Sequence, residues 1–245
     1  MNIGDIEILT RLLTDADSTQ LSAAQLLILE NKYYEEVVGK IISETAGGQT
    51  QFGDTNYAGF PTFTADLVNS QADYDLSTFA TATGSTPLTI MGVEVLDNSG
   101  DFKVVRRTTL QKIRDRGEAQ SEFFETDGIP ELFEIRDGSI VFYPAPDNGI
   151  SVTLTAGMKV FYLRTADIFT SAQVSTGTKV PGFPSPWHFL LSYGPAHDYG
   201  LARGLPQARE YKRTYDEGLR ELLDFISRSD QDVRYKFTPK RRRYT

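Results

Sequence analysis

The chain has 245 residues, 40% hydrophobic and 24% charged, with a net charge of −8 and no cysteine. That length buries the core of one large domain or two small ones, and the missing cysteines exclude disulfides, thiol catalysis and zinc–thiolate sites. No apolar run approaches the roughly 18 residues of a membrane span, and neither a signal-peptide pattern nor an Asn-x-Ser/Thr sequon occurs, so synthesis in a cytoplasm is expected. The charge is unevenly placed. Residues 233–245 hold six basic side chains and no acid, leaving 19 basic against 33 acidic residues in the body. An acidic body is a poor phosphate binder, because DNA binding depends on cations that release counterions.

In chain order, Asn2 is placed to cap a first helix with Ile3, Ile6, Leu9 and Leu13 on one face. A break at 15–18 precedes a second helix. Its start is marked by a capping box, Ser22 with Gln25, flanked by Leu21 and Leu26 as a hydrophobic staple. Leu26, Leu27, Tyr33, Tyr34, Val37, Val38, Ile41 and Ile42 form its broad apolar stripe, and Gly47-Gly48 ends it. From Thr50 the texture turns to Thr, aromatic and Gly, which favours extended chain. An Asp73-Tyr74-Asp75-Leu76 turn and a polar Thr/Ala/Ser loop follow. Pro87–Leu96 reads as a strand, closed by Asp97-Asn98-Ser99-Gly100 and paired with residues 102–105 as a hairpin. Residues 109–116 suggest a short charged helix.

Residues 129–164 are the most regular stretch. Strand 131–136 ends at Asp137-Gly138, a dipeptide suited to the positive φ angles of a tight hairpin, and residues 139–143 lead back out. After the loop Pro144-Ala145-Pro146-Asp147-Asn148-Gly149, residues 150–163 read as a third strand, giving an antiparallel meander. A long loop spans 165–184. Helices resume at Ser185-Pro186, with Pro195 predicting a kink or a short first segment and Arg203-Gly204 ending the element. The last helix carries Ala208, Tyr211, Tyr215, Leu219, Leu222 and Ile226 at steps of three and four, a helical seam. It is expected to fray at 227–230.

Each helical stripe must be buried; at roughly 25 cal/mol per Å² of apolar area, six large side chains outweigh any propensity preference. The expected fold is therefore α+β: a four-helix bundle from the N- and C-terminal helix pairs, an inserted antiparallel β-rich domain, and an extended basic C-terminal tail. The expected parts are 1–48 and 185–229 for the bundle, 49–184 for the insert and 230–245 for the tail.

Candidate chemistry is sparse. His188 and His197 lie nine apart, not at the four-residue spacing that places two ligands on one helix face. The stretch from Asp73 begins like a calcium loop but has Thr78 where Gly is needed and Gly84 where a bidentate Glu belongs, so it reads as a turn before a strand. Ser175-Thr176-Gly177-Thr178-Lys179 lacks the first Gly of a phosphate loop and reads as a loop. Glu35-Glu36 and Glu217 with Glu221 read as solvated helix faces. No nucleophile elbow or Ser–His–Asp order occurs, so no catalytic residue, metal or cofactor is expected. The functional candidate is the tail, where Arg234, Lys236, Lys240, Arg241, Arg242 and Arg243 interleave with Tyr235, Phe237 and Tyr244. Such a segment pairs charges and fills pockets as it orders on a partner. A nucleic-acid-binding module using this tail is the alternative reading.

The order of segments resembles the head-to-tail adaptors (connector or head-completion proteins) of tailed bacteriophages. The likeness rests on Glu30-Asn31-Lys32-Tyr33-Tyr34, Ala72-Asp73-Tyr74-Asp75-Leu76 and Ile129-Pro130-Glu131-Leu132-Phe133. It continues through Ile140-Val141-Phe142-Tyr143-Pro144-Ala145-Pro146, Val180-Pro181, Pro186-Trp187-His188 and the Tyr211, Tyr215, Leu219 helix. The chain departs from the pattern at Ser77, where Pro commonly stands, and in the longer loop after it. The resemblance implies a structural virion protein, not an enzyme, made in the host cytoplasm and placed at the neck. It implies a dodecameric ring beneath the portal protein, followed by a downstream tail, nozzle or stopper protein. DNA would pass through its lumen without specific binding, with no membrane involved, and the C-terminal segment would engage the portal.

Overall fold

The computed structural model describes residues 1–44, 54–56, 61–83, 87–109, 111–112 and 126–234, of which 80–83, 175 and 228–234 by backbone alone. The expected extended stretch at 50–60 and the short helix at 109–116 fall mostly outside these residues, as does the tail beyond Arg234. The chain divides into two compact units, Met1–Ala58 with Ala166–Thr245, and Gly59–Thr165. The first is helical among the described residues, and the second holds every strand.

The helical unit contains α1 (Ile3–Thr14), α2 (Ala23–Glu44) and, later in the chain, three further helices. Asn2 caps α1 in a reciprocal box with Asp5, and Ser22 does the same with Gln25 at α2. The buried face of α1 is Ile3, Ile6, Thr10 and Thr14, so the face expected from Leu9 and Leu13 is turned by one position. Two threonines can occupy an apolar seam because each hydroxyl donates to a carbonyl four residues back, Thr10 to Ile6 at 2.9 Å and Thr14 to Thr10 at 2.8 Å. Residues 165–184, expected as loop, include α4 (Ser171–Thr176), started by a Thr170–Gln173 capping box and stopped by Gly177 at φ 63°. Residues 166–184 belong to the helical unit, whose core takes in Ala166, Phe169 and Phe183.

A 3-10 turn, Ser185–Trp187, with Pro186 near its start, runs into α5 (Leu190–Arg203), which continues through Pro195 and ends at Gly204, φ 68°. The last helix, α6, spans Ala208–Arg234 and so continues past the expected fraying point at 227–230. All six residues of its predicted seam are buried. Helices α1 and α2 pack on α5, and α2 and α5 pack on α6. At Gly194 on α5 an added Cβ would stand 2.4 Å from the Tyr33 ring of α2. Side chains of all four long helices share one core around Tyr34, Val37, Leu190, Leu191, Tyr215 and Leu222.

Among the described residues, the second unit is a seven-stranded sheet with the helix α3 (Leu76–Thr83). Its strands are β1 (Thr62–Ala65), β2 (Asp73–Asp75), β3 (Pro87–Leu96), β4 (Phe102–Arg107), β5 (Leu132–Arg136), β6 (Ser139–Tyr143) and β7 (Met158–Arg164). Their order is β1-β7-β3-β4-β5-β6-β2. Among the described strands, only β4 and β5 run parallel, over Arg106↔Leu132 and Arg107↔Phe133. The β3–β4 and β5–β6 hairpins match the sequence reading; Asp137 and Gly138 have φ 53° and 82°, as the two-residue turn requires.

The meander does not close as expected. Residues 150–157 are not strand, and β7 lies between β1 and β3 instead of beside β6. The reason is local. The Asp147 carboxylate accepts from the amides of Ile150 and Ser151 at 2.9 and 3.0 Å, which curls the chain after the proline corner. At Gly157 a Cβ would meet the Thr153 carbonyl oxygen at 1.9 Å, so only glycine fits the turn into β7. The stretch after Asp75, expected as a loop, is α3 (Leu76–Thr83), with the Asp75 carboxylate accepting from Ser77 N at 2.7 Å. The core lies on one sheet face, from Val93, Val95, Ile140, Phe142, Met158 and Val160. Leu132, Val141 and Tyr143 form a smaller cluster on the alternate positions.

Candidate interaction surfaces

The two histidines hold the helical unit together. His188 is buried, with Nε2 2.7 Å from the Phe183 carbonyl oxygen and Nδ1 3.2 Å from the amino group of Met1. Burial lowers its pKa from the ordinary value. A neutral ring that donates through Nε2 to Phe183 accepts from the Met1 amino group at Nδ1, which also lies 3.0 Å from the Met1 carbonyl oxygen. His197 instead pairs with the Ala208 carbonyl at 2.9 Å, across the α5–α6 turn. Among the described residues no group of three His, Asp or Glu side chains could hold a metal ion. Thr176 and Gly177 form the end of α4 and its cap, and Lys179 pairs with Asp167 at 2.9 Å.

Two buried acids escaped the sequence reading. Asp54 accepts from the Tyr34 hydroxyl at 2.5 Å, from Asn56 N at 2.9 Å and from Asp167 N at 2.7 Å. Tyr34 in turn accepts from Gly182 N at 2.7 Å, and Thr55 N donates to the Gly182 carbonyl at 2.9 Å. This node joins α2, the turn at 54–56 and the strands of loop around 167 and 182. Desolvation, with the Asp54 charge beside it, drives the Tyr34 pKa far above its ordinary value. Glu30 is 1% exposed, with Oε1 lacking any hydrogen-bond partner. Desolvation, then the Glu7 charge, push its pKa up to about 9, so it is a neutral carboxylic acid at pH 7. The signal for Glu30 was present in the sequence: it continues the Leu26, Tyr33, Val37, Ile41 seam at steps of four and three. Asp54 had no such periodicity to mark it.

The described residues also line surface depressions. In the helical unit a groove of about 420 Å³ lies between Leu21, Ile28, Leu29, Tyr199 and Arg203. Nearby in sequence, Ile8 and Leu12 on α1 are 69% and 77% exposed. In the sheet unit a groove of about 680 Å³ lies beside β2. Of the tail residues singled out, Arg234 closes α6. Tyr235, Lys236, Phe237, Lys240, Arg241, Arg242, Arg243 and Tyr244 lie outside the described residues.

Among the described residues, the histidines and the buried Asp54 are held in contacts that tie the helical unit together. Against that geometry, residues 6–243 match the family of the SU10 adaptor protein. The chain belongs to the SU10 adaptor protein family. The match covers α1 through the basic tail, so both units and the tail lie within the family's span. It bears out the resemblance to phage head-to-tail adaptors drawn from the order of segments. No curated protein matches this SU10 adaptor family member.

Proposed function

We propose that the protein is a structural head-to-tail adaptor of a tailed bacteriophage, forming a dodecameric ring beneath the portal and linking the capsid vertex to the tail around the DNA channel. The observation that carries this reading is the family match over residues 6–243. Its support in the structure is the placement of the candidate histidines and acids in architectural contacts instead of a reaction centre. The ring is the scaffold, and the tail is its connector. Arg234, Tyr235, Lys236, Phe237, Lys240, Arg241, Arg242, Arg243 and Tyr244 dock on the portal through charge pairing and aromatic insertion. The acidic body repels the DNA backbone, which suits passage through a lumen without capture.

The test is deletion of residues 233–245. The truncated protein should keep its fold, reported by unchanged circular dichroism, and fail to join portal-containing heads to tails. Normal joining by that truncation refutes portal docking. Steep salt-dependent binding of the intact chain to short DNA duplexes, lost when Arg241, Arg242 and Arg243 are neutralised, would support the nucleic-acid reading instead.

A further inference from the structure

We infer that the free edge of β2 is a docking groove for the C-terminal segment of a second copy of this chain, received as an added β-strand. Among the described residues, strand β2 ends the sheet and pairs with β6 on one side only. Phe142 N donates to the Ala72 carbonyl at 2.8 Å and Leu76 N to that of Gly138 at 3.0 Å. Residues 72 and 76 therefore face β6, and by strand alternation the amides of Asp73 and Asp75 point outward. Their carbonyls are occupied, by Gln71 Nε2 and Thr78 Oγ1, each at 2.7 Å. The edge thus offers donors to an incoming backbone, and it runs along the groove of about 680 Å³. Val68, Tyr74 and Phe79 supply apolar lining, and Asp66, Asp73 and Asp75 supply acids.

The occupant is specified by alternation and charge. On β2 the two Asp side chains share one face and Tyr74 the other. Tyr235-Lys236-Phe237-Thr238 has the complementary pattern, with aromatics on one face and Lys236 on the other. In register, Lys236 opposes an Asp while an aromatic opposes Tyr74; a one-residue slip sets the aromatics against the carboxylates. Pro239 then stops the added strand, which suits an edge of three residues. Lys240, Arg241, Arg242 and Arg243 follow, adding attraction to the acidic rim.

An exposed edge is the usual route by which separate chains pair. Each copy gives one segment and offers one groove, a head-to-tail contact that is fully satisfied only when the copies close a ring. The inference rests in this respect on the ring reading. Before a head is joined, the neighbouring copy holds the segment; joining exchanges that groove for the portal.

The test replaces Phe237 with p-benzoylphenylalanine in the full chain, mixes 14N- and 15N-labelled copies, irradiates them and maps crosslinks by mass spectrometry. Asp73→Lys is the informative variant, because Asp75 also starts α3 and Asp66 Oδ1 accepts from Ala156 N. Mixed-isotope crosslinks to residues 65–79 are expected, weakened about fivefold by Asp73→Lys and restored when the other copy carries Lys236→Glu. Crosslinks elsewhere, crosslinks within single copies only, or a yield unmoved by Asp73→Lys would overturn the inference. Rings seen by electron microscopy without these crosslinks would reject the groove and leave the adaptor reading standing, whereas the reverse result would reject the adaptor ring alone.

Discussion

In the helical unit, polar side chains are buried and tie together segments far apart in sequence: Tyr34 with Asp54 and Gly182, Asn31 with Phe169, His188 with Met1, Tyr211 with Leu13. In the sheet unit the core is apolar, and the carboxylates act mainly within their own turns, Asp97 on Ser99 and Asp101, Asp147 on Ile150 and Ser151, Asp75 on Ser77. The difference follows from connectivity. The sheet unit is one continuous stretch whose ladders specify its register, so its acids need only shape turns. The helical unit is assembled from two stretches separated by the whole sheet unit, and helix stripes alone leave rotation and sliding poorly fixed. Directional hydrogen bonds between the stretches supply what the stripes lack.

That contrast can be broken by comparing mutations in the two units, because Trp187 is the only tryptophan and packs at a tilt against Phe225 within the helical unit. Its fluorescence reports unfolding there, while far-ultraviolet circular dichroism reports both units. Asp54→Ala is expected to have the largest effect, ~3–5 kcal/mol lost from the tryptophan transition in urea, since it strands one hydroxyl and two amides. A shift below about 1 kcal/mol would show that the node is dispensable.

Glu30→Gln should act in the opposite direction and depend on pH. Unfolded, the carboxyl titrates near its model value of 4.5; folded, it titrates at about 9. Between those values the native state holds the extra proton, so stability falls as pH rises. The amide removes that dependence and should raise the tryptophan midpoint by ~1–3 kcal/mol at pH 8 and by much less at pH 5. An equal effect at both pH values would contradict a buried neutral acid. Gly194→Ala should cost ~1–2 kcal/mol, the clash with Tyr33 exceeding the helix-propensity gain. The smallest effect on tryptophan is expected from Asp147→Ala, which should weaken the sheet unit by ~1 kcal/mol in circular dichroism and leave the Trp187 midpoint in place. If it moves that midpoint as far as Asp54→Ala does, the two units do not differ in the way described.

Periodicity and turn chemistry made much of the fold readable in the sequence. The α6 seam, the Pro87–Leu96 strand, both hairpins and the Ser22–Gln25 box were read from local signals because the forces that set them are local. What failed was long-range or polar. The alternation at Val152 and Leu154 suggested a strand beside β6, but nothing in it revealed that Gly157 turns the chain towards the other side of the sheet. Leu9 and Leu13 outranked Thr10 and Thr14 as seam candidates because hydropathy ignores a hydroxyl already paired with its own helix. Asp54 was invisible for the opposite reason: its partners lie up to 113 residues away. The tail stood out by composition alone.

The most direct measurement is electron cryomicroscopy of the neck of intact particles. A ring of this chain beneath the portal, with residues 233–245 lying against the portal protein, is the expected result. A neck that lacks the chain, or a ring whose C-terminal segments point away from the portal, would contradict the proposed adaptor and its docking segment.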